Sequence, residues 1–298
     1  MREPYVNYNT STMKNKTLII DGSNLLHRVY WVTSKTNTNT VHMFMNSIKK
    51  LYNEWTPTKI YIAWDSKLVR DDKSYRRKDE SYKQNRDKST WEKVYEHEQV
   101  IKDVCNSLGV FNIYPGVLEA DDVINYLVKN ITGSKIVITT DHDMLQLIDD
   151  TTVVHNPIRK LTYTKTNFDE HIKVPLDLYI HYKSLIGDKS DNIQGISKVG
   201  HKTALKILSK GIRESLTDEE YEQYTNNLNL IDLSTATDNH PGEVDIYEQQ
   251  LNESYKQNSD YDAFKKICKD INYPEKSIDN FTMFFNKEMN SILLEILK

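Results

Sequence analysis

The sequence predicts an α/β fold: a mainly parallel central sheet flanked by helices, followed by a helical C-terminal domain. Two observations carry that prediction. In the first half, short β-branched or aromatic runs alternate with amphipathic helical patterns, as expected when parallel strands are joined through helices. Beyond Pro175 the pattern is helical throughout. The expected division is a polar tail over 1–16, an α/β domain over 17–174 and a helical domain over 175–298.

Taken in order, "KTLIID", "KIYIAWD" and "SKIVITTD" read as strands. A helix is predicted over Val41–Trp55, where Val41, Met45, Ile48, Leu51, Tyr52 and Trp55 share one side. A second is predicted over Trp91–Leu108, striped by Val94, Ile101, Val104, Cys105 and Leu108. "LEADDVINYL" opens a third, with Val123, Ile124, Leu127 and Val128 at helical spacing. "VVHNPIRKLTYT" has Asn156-Pro157 in its middle and reads as a hairpin. Pro175 suits the first turn of "PLDLYIHYKSLIGD". In "GISKVGHKTALKILSK", Gly195 and Gly200 frame a tight turn before a helix striped by Ala204, Leu205, Ile207 and Leu208.

The bulk numbers exclude several classes. The chain has 298 residues, 38% hydrophobic and 28% charged, and no apolar run long enough to span a membrane. Its start lacks a signal-peptide pattern. Cys105 and Cys268 lie far apart without a CxxC, which argues against a disulfide framework or a cysteine zinc site and fits a reducing cytoplasm. Net charge is −4, which taken alone argues against nucleic-acid binding. The distribution argues for it: Lys67–Lys93 holds ten Lys/Arg against six Asp/Glu, with Tyr75, Tyr82 and Trp91 interleaved. Such a segment grips single strands by phosphate contact and base stacking. Within it, Lys83 and Arg86 stand one helical turn apart and could neutralise one phosphate as its bond breaks.

All three strand candidates run into an aspartate: Asp21, Asp65 and Asp141. Ligands of open α/β sheets bind beyond the carboxyl ends of the strands, so these acids are expected to converge. Any one of them could instead cap the following helix. Glu119, Asp121 and Asp122 crowd one helix start, Asp143 follows Asp141 in "TDHD", and "GDKSDN" places Asp188 and Asp191 on one face of a helical turn. These nine acids cannot share a pocket ionised without cations. All-oxygen ligands select Mg²⁺ or Mn²⁺, and a metal pair about 3.5–4 Å apart suits phosphodiester hydrolysis. Lys198, Lys202 and Lys206 around the glycine turn point to a phosphate held at backbone amides.

In their order, "IDGSN", "WD", "YKQNR", "EADD", "TDHD", "GDKSDN" and "GISKVGHKTALKIL" resemble the structure-specific 5′-nucleases, the flap endonucleases and 5′→3′ exonucleases. The match spans about Thr17 to Lys210. "RRKDESYKQNRDKSTW" and "EEYEQYTNNLNLIDL" look most like the primer-removing phage ribonuclease H of T-even type. The resemblance implies a PIN-like nuclease fold with a helical arch over about 66–93 and a helix-hairpin-helix over 178–210. It implies Asp21, Asp65, Glu119, Asp121 and Asp122 at a first Mg²⁺, and Asp141, Asp143, Asp188 and Asp191 at a second. Asp21, Asp65, Asp121 and Asp141 would act in catalysis together with Lys83 and Arg86. Arg76, Arg77, Tyr82, Lys83 and Arg86 would serve the arch, and Lys183 would stand near the scissile phosphate. Gly195, Lys198, Gly200 and Lys202 would grip duplex DNA, with K⁺ at that turn.

The resemblance further implies a monomer acting on DNA and RNA–DNA hybrids with 5′ single strands or flaps, as in primer removal during replication. A single-stranded-DNA-binding protein and a sliding clamp are its implied partners. Two other readings compete. A smaller PIN-type RNase would lack the basic segment and the glycine hairpin, and a non-catalytic DNA-binding protein would have lost an acid. Both devices and every acid are present.

Overall fold

The computed structural model describes residues 15–66, 82–84 and 88–285. Nearly all of the expected tail and most of the basic segment, including Arg76, Arg77 and Arg86, lie outside the described residues. Six strands form one sheet in the order β3-β2-β1-β4-β5-β6. The first five are parallel: β1 (Thr17–Asp21), β2 (Lys59–Ala63), β3 (Phe111–Ile113), β4 (Lys135–Ile138) and β5 (Thr152–Asn156). Strand β6 (Leu161–Tyr163) returns antiparallel from the Asn156-Pro157 turn, as the sequence predicts.

Every residue of β1 is buried, because helices cover both faces of the sheet. Leu18 and Ile20 pack under the helices Gly22–Thr36, Thr40–Trp55 and Glu98–Ser107. Ile19 packs on the opposite side with Val123, Ile124 and Leu127 of the helix Ala120–Asn130. The register sets Asp21 beside Ala63 and Ile20 beside Ile138. Asp65 and Asp141 therefore follow their strands at the same carboxyl edge where β1 ends.

Two elements of the sheet domain differ from the sequence reading. The helix expected over Trp91–Leu108 breaks into Trp91–Tyr95 and Glu98–Ser107. Trp91 and Tyr95 of the first half meet the His27 ring, and its Val94 joins Ile101, Val104 and Cys105 of the second in one core. Strand β3 escapes notice because it is only three residues long, with Asn112 at its centre. That side chain accepts from the buried Trp64 Nε1 at 2.7 Å.

The helical C-terminal region is not one separate body. Residues 179–231 have a small core of Leu185, Ile196, Ala204, Ile207, Leu216 and Tyr224. The following helices fold back on the sheet domain: Leu233, Tyr247 and Leu251 join the core on one side, and Phe264, Cys268 and Phe281 join the other. Cys105 and Cys268 are both free and buried. No helix among the described residues is long and apolar enough to cross a membrane.

Candidate active site

Asp21 ends β1 and caps the helix that comes after it. Its carboxylate accepts from Asn24 N–H at 2.9 Å and from the Thr139 hydroxyl at 3.0 Å. Capping is thus real here, yet it is not the whole account. Burial, with the Asp65 and Asp141 charges nearby, pushes its pKa up to about 7 against the pull of Asn24. Asp121 is likewise raised, first by burial and then by Asp141, Asp21 and Glu119, while Lys83 opposes the shift. Four separate segments thus meet here, since Asp21 feels the charges of Asp65 and Asp141, and Asp121 those of Asp141 and Asp21. Asp65 is held by its own backbone N–H on Ser23 Oγ (3.1 Å) and accepts from Ala120 N–H (3.0 Å).

Glu119 precedes the helix Ala120–Asn130, where its carboxylate accepts from Lys83 Nζ at 2.7 Å and from the Tyr82 hydroxyl at 3.0 Å. Lys83 also stands 3.6 Å from Asp191, and its N–H donates to the Asp191 carbonyl at 2.8 Å. Across the site, Lys183 bridges Asp143 and Asp188. Burial pushes Asp143 up to about 7, with Asp141, Asp191 and Asp188 adding to the shift and Lys183 opposing it. For Asp188 burial acts upward too, but Lys183 and the Ser190 hydroxyl and amide hold it at about 2. Burial disfavours the Lys183 cation, and Asp143, Tyr179 and Asp188 more than reverse that, so its pKa is raised.

Several expected residues are placed differently. Asp122 is 0% exposed, and its carboxylate accepts from Glu119 N–H at 2.9 Å, closing a capping box. It caps the helix, which corrects its expected place facing the ions. Tyr82 is buried with Ile193 and Ile231, so its ring is not offered to a base. Asp188 and Asp191 do not share a helical turn. They flank the tip of a tight ladder, β7 (Gly187–Asp188) with β8 (Ile193–Gln194), where Asp188 accepts from Ser190 N–H at 2.7 Å. Extended pairing replaces the helix because Gly187 and Gly195 cross with no room for a side chain.

The glycine turn joins the helices Tyr179–Ile186 and His201–Lys210. A Cβ at Gly195 would run into the Ile186 carbonyl, whereas nothing lies within 4 Å of one at Gly200. Gly200 therefore leaves the start of the second helix open to an incoming backbone. Lys198 and Lys202 are exposed beside it.

No sequence pattern singles out Thr139 or Arg28, and Ser23 stands within "IDGSN" without a role read for it. The Arg28 guanidinium has a pKa lowered by burial, which the Asp21 charge partly opposes. A cavity of about 740 Å³ adjoins Asp141, Lys183 and Asp188, walled by His142, Arg159 and Tyr182. Among the described residues no three acids stand close enough to hold an ion as they are placed. The donor set nonetheless fits hard divalent cations: every acid offers oxygen alone, and loss of solvent raises Asp21, Asp121 and Asp143 beyond what their neighbours offset. Lys83 and Lys183 each join two carboxylates that a cation could join instead.

The chain is similar in sequence and fold to known proteins. Residues 16–173 match the family model of the 5′-3′ exonuclease N-terminal, resolvase-like domain. The 5′-3′ exonuclease of Halalkalibacterium halodurans is 30% identical over 233 residues, which is 70% of this chain and 76% of the relative. That of Bacillus subtilis is 32% identical over 212 residues, 65% of this chain and 70% of the relative. Among solved structures, the bacteriophage T5 flap endonuclease in a complex with DNA and metal ions superposes with a TM-score of 0.67. It shares 21% identity and covers 81% of this chain and 98% of its own. The flap endonuclease of Methanococcus jannaschii gives a TM-score of 0.55 at 15% identity, covering 94% and 95%. The match to the family model over more than half the chain, with the carboxylates gathered at the sheet edge, places this chain in the 5′-3′ exonuclease family of structure-specific 5′-nucleases.

Proposed function

We propose that the chain hydrolyses phosphodiesters near the 5′ ends of DNA and RNA–DNA duplexes and at the base of single-stranded flaps, and so removes RNA primers during replication. The observation that carries the reading is the convergence at one sheet edge of Asp21 with Asp65 and Asp141, whose charges act on it, and of Asp121, on which Asp141 and Asp21 act. With Glu119 on one side, and Asp143, Asp188 and Asp191 on the other, they would hold two Mg²⁺, for which Mn²⁺ substitutes. Divalent ions supply an activated water and neutralise the phosphate as its bond breaks.

This chain's own residues do the rest. Lys83 and Lys183 already sit among the acids, so each can exchange a carboxylate for a phosphate oxygen without a long movement. Arg86, Arg76 and Arg77, from the basic segment, would guide the 5′ strand. Gly195, Lys198, Gly200 and Lys202 would hold the duplex, with K⁺ at the turn. We expect a monomer working in the cytoplasm, the host's if a phage encodes it, beside a single-stranded-DNA-binding protein or a sliding clamp.

With a 5′-labelled flap and a 5′-labelled RNA–DNA hybrid, purified protein should release short 5′ products in Mg²⁺ and none in EDTA. Intact substrate in both Mg²⁺ and Mn²⁺, with binding retained, would refute hydrolysis. Lys83→Ala should lower kcat about 100-fold, the usual cost of one charge-stabilising donor, and change substrate affinity far less. Equal losses of rate and affinity would make Lys83 a plain phosphate contact.

A further inference from the structure

The helix Pro241–Ser254 carries none of the nuclease motifs, yet it reaches the loop that delivers the acids to the site. Glu243 is only 4% exposed. One of its oxygens accepts from Gly116 N–H at 2.8 Å and the other from Val117 N–H at 2.7 Å. Two turns further along the same helix, Gln250 accepts from Tyr114 N–H at 2.9 Å and donates to the Tyr114 carbonyl at 2.8 Å. From the other side Ser66, the residue after Asp65, donates to the Gly116 carbonyl at 3.2 Å.

The loop between β3 and Glu119 is therefore gripped on both sides, by the end of β2 and by a helix more than a hundred residues away. Among the described residues no strand pairs with it, and these side chains supply hydrogen bonds to its main chain. A buried carboxylate receiving two peptide N–H groups is a strong, charge-assisted clamp. The loop also fits the clamp closely, since a Cβ at Gly116 would overlap Glu243 Oε1.

We propose that Glu243 and Gln250 are positioning residues for the cation site: they fix the loop that sets Glu119 and Asp121 against Asp65. The link is short, because Glu119 directly succeeds the clamped loop and Asp65 binds Ala120 N–H. The proposal rests on the metal-dependent reading of the acids. It gives the C-terminal helices, which lie beyond the nuclease motifs, a task in the reaction.

The test uses the full chain and Glu243→Gln, which keeps the size but turns an amide N–H toward one of the two peptide N–H groups. Three readouts are measured: hydrogen exchange at Gly116 and Val117, Mn²⁺ affinity by calorimetry without nucleic acid, and kcat against KM on a flap. We expect faster exchange, Mn²⁺ binding weakened about 10-fold, a similar fall in kcat, and KM little changed. Gly116→Ala should act the same way, and should add little once Glu243→Ala has removed the carboxylate it meets. Gln250→Glu, which sets a charge against the Tyr114 carbonyl, carries the same readouts should Glu243→Gln not fold. Faster exchange with unchanged Mn²⁺ affinity and kcat would overturn the positioning role alone. If the unaltered chain binds no Mn²⁺, the reading of the acids fails and this proposal with it.

Discussion

Asp141→Asn is expected to abolish cleavage, by about 1000-fold or more in kcat, while DNA binding stays intact. Asp141 is the acid whose charge raises Asp21, Asp121 and Asp143 alike, so it lies between the two groups of carboxylates. Asparagine retains the oxygen that accepts from Asp143 N–H at 2.8 Å, and the turn should survive. What disappears is one negative charge and one anionic oxygen, which loosens any cation held between the groups. The same loss lessens repulsion toward phosphate, so the affinity for a flap should hold or rise. Single-turnover cleavage in Mg²⁺ together with flap binding measures both quantities. A variant that keeps its kcat would remove Asp141 from the site, and one that loses affinity and rate together would make it a binding residue only.

This contrast between charge and fold also marks what could be read from the sequence. Asp21, Asp65 and Asp141 were legible because the strands before them are apolar and period-free, and parallel strands end at one edge. The hairpin after β5 was legible from Asn156-Pro157, and the helix after Gly200 from its apolar stripe. The helix before Gly195, expected to start at Pro175, starts at Tyr179 after a 3-10 turn over Leu176–Leu178. Asp122 was not separable from Asp121 by composition. Only the helix direction shows that one turns back to cap the chain while the other stands amid the acids. The ladder around Asp188 was missed because Asp-x-x-Asp spacing suits a helix locally, and the crossing of Gly187 with Gly195 overrides it. Tyr82 looked like a stacking residue because aromatic rings within a basic run usually face the ligand. Its burial against Ile193 and Ile231 depends on elements more than a hundred residues downstream. Glu243 had no local signal at all, since its partners are two peptide N–H groups.

The same buried acids set a dependence on pH that a nuclease assay alone would not reveal. Asp21 and Asp143 have folded pKa values of about 7, above their ordinary value of 3.8, and Asp121 is shifted the same way. Between about pH 4 and pH 7 these carboxyls bind more protons in the folded chain than in the unfolded chain and lower stability as pH rises. His155, which burial lowers to about 4, and His142, lowered by burial too, oppose that trend over the acid part of the range. A carboxyl so raised disfavours the ionised folded state by roughly 4 kcal/mol once pH exceeds 7. Asp188, held at about 2, has the opposite sign: its contribution is present above pH 4 and is lost only toward pH 2. In EDTA the melting temperature should thus drop between pH 5 and pH 8, by roughly 10 °C or more if two such groups act. The Mg²⁺ proposed for this site would bind the deprotonated carboxylates and stabilise the fold by mass action. Its increment in melting temperature should be large at pH 8 and small at pH 5. Calorimetric scans in EDTA and in Mg²⁺ at both pH values decide the matter. Because His155 and His142 add stability over the same rise in pH, the Mg²⁺ increment is the deciding quantity: one equal at both pH values would show that the acids are neutralised by the protein itself. In that case Lys83 and Lys183 would be their permanent partners rather than groups that exchange a carboxylate for phosphate.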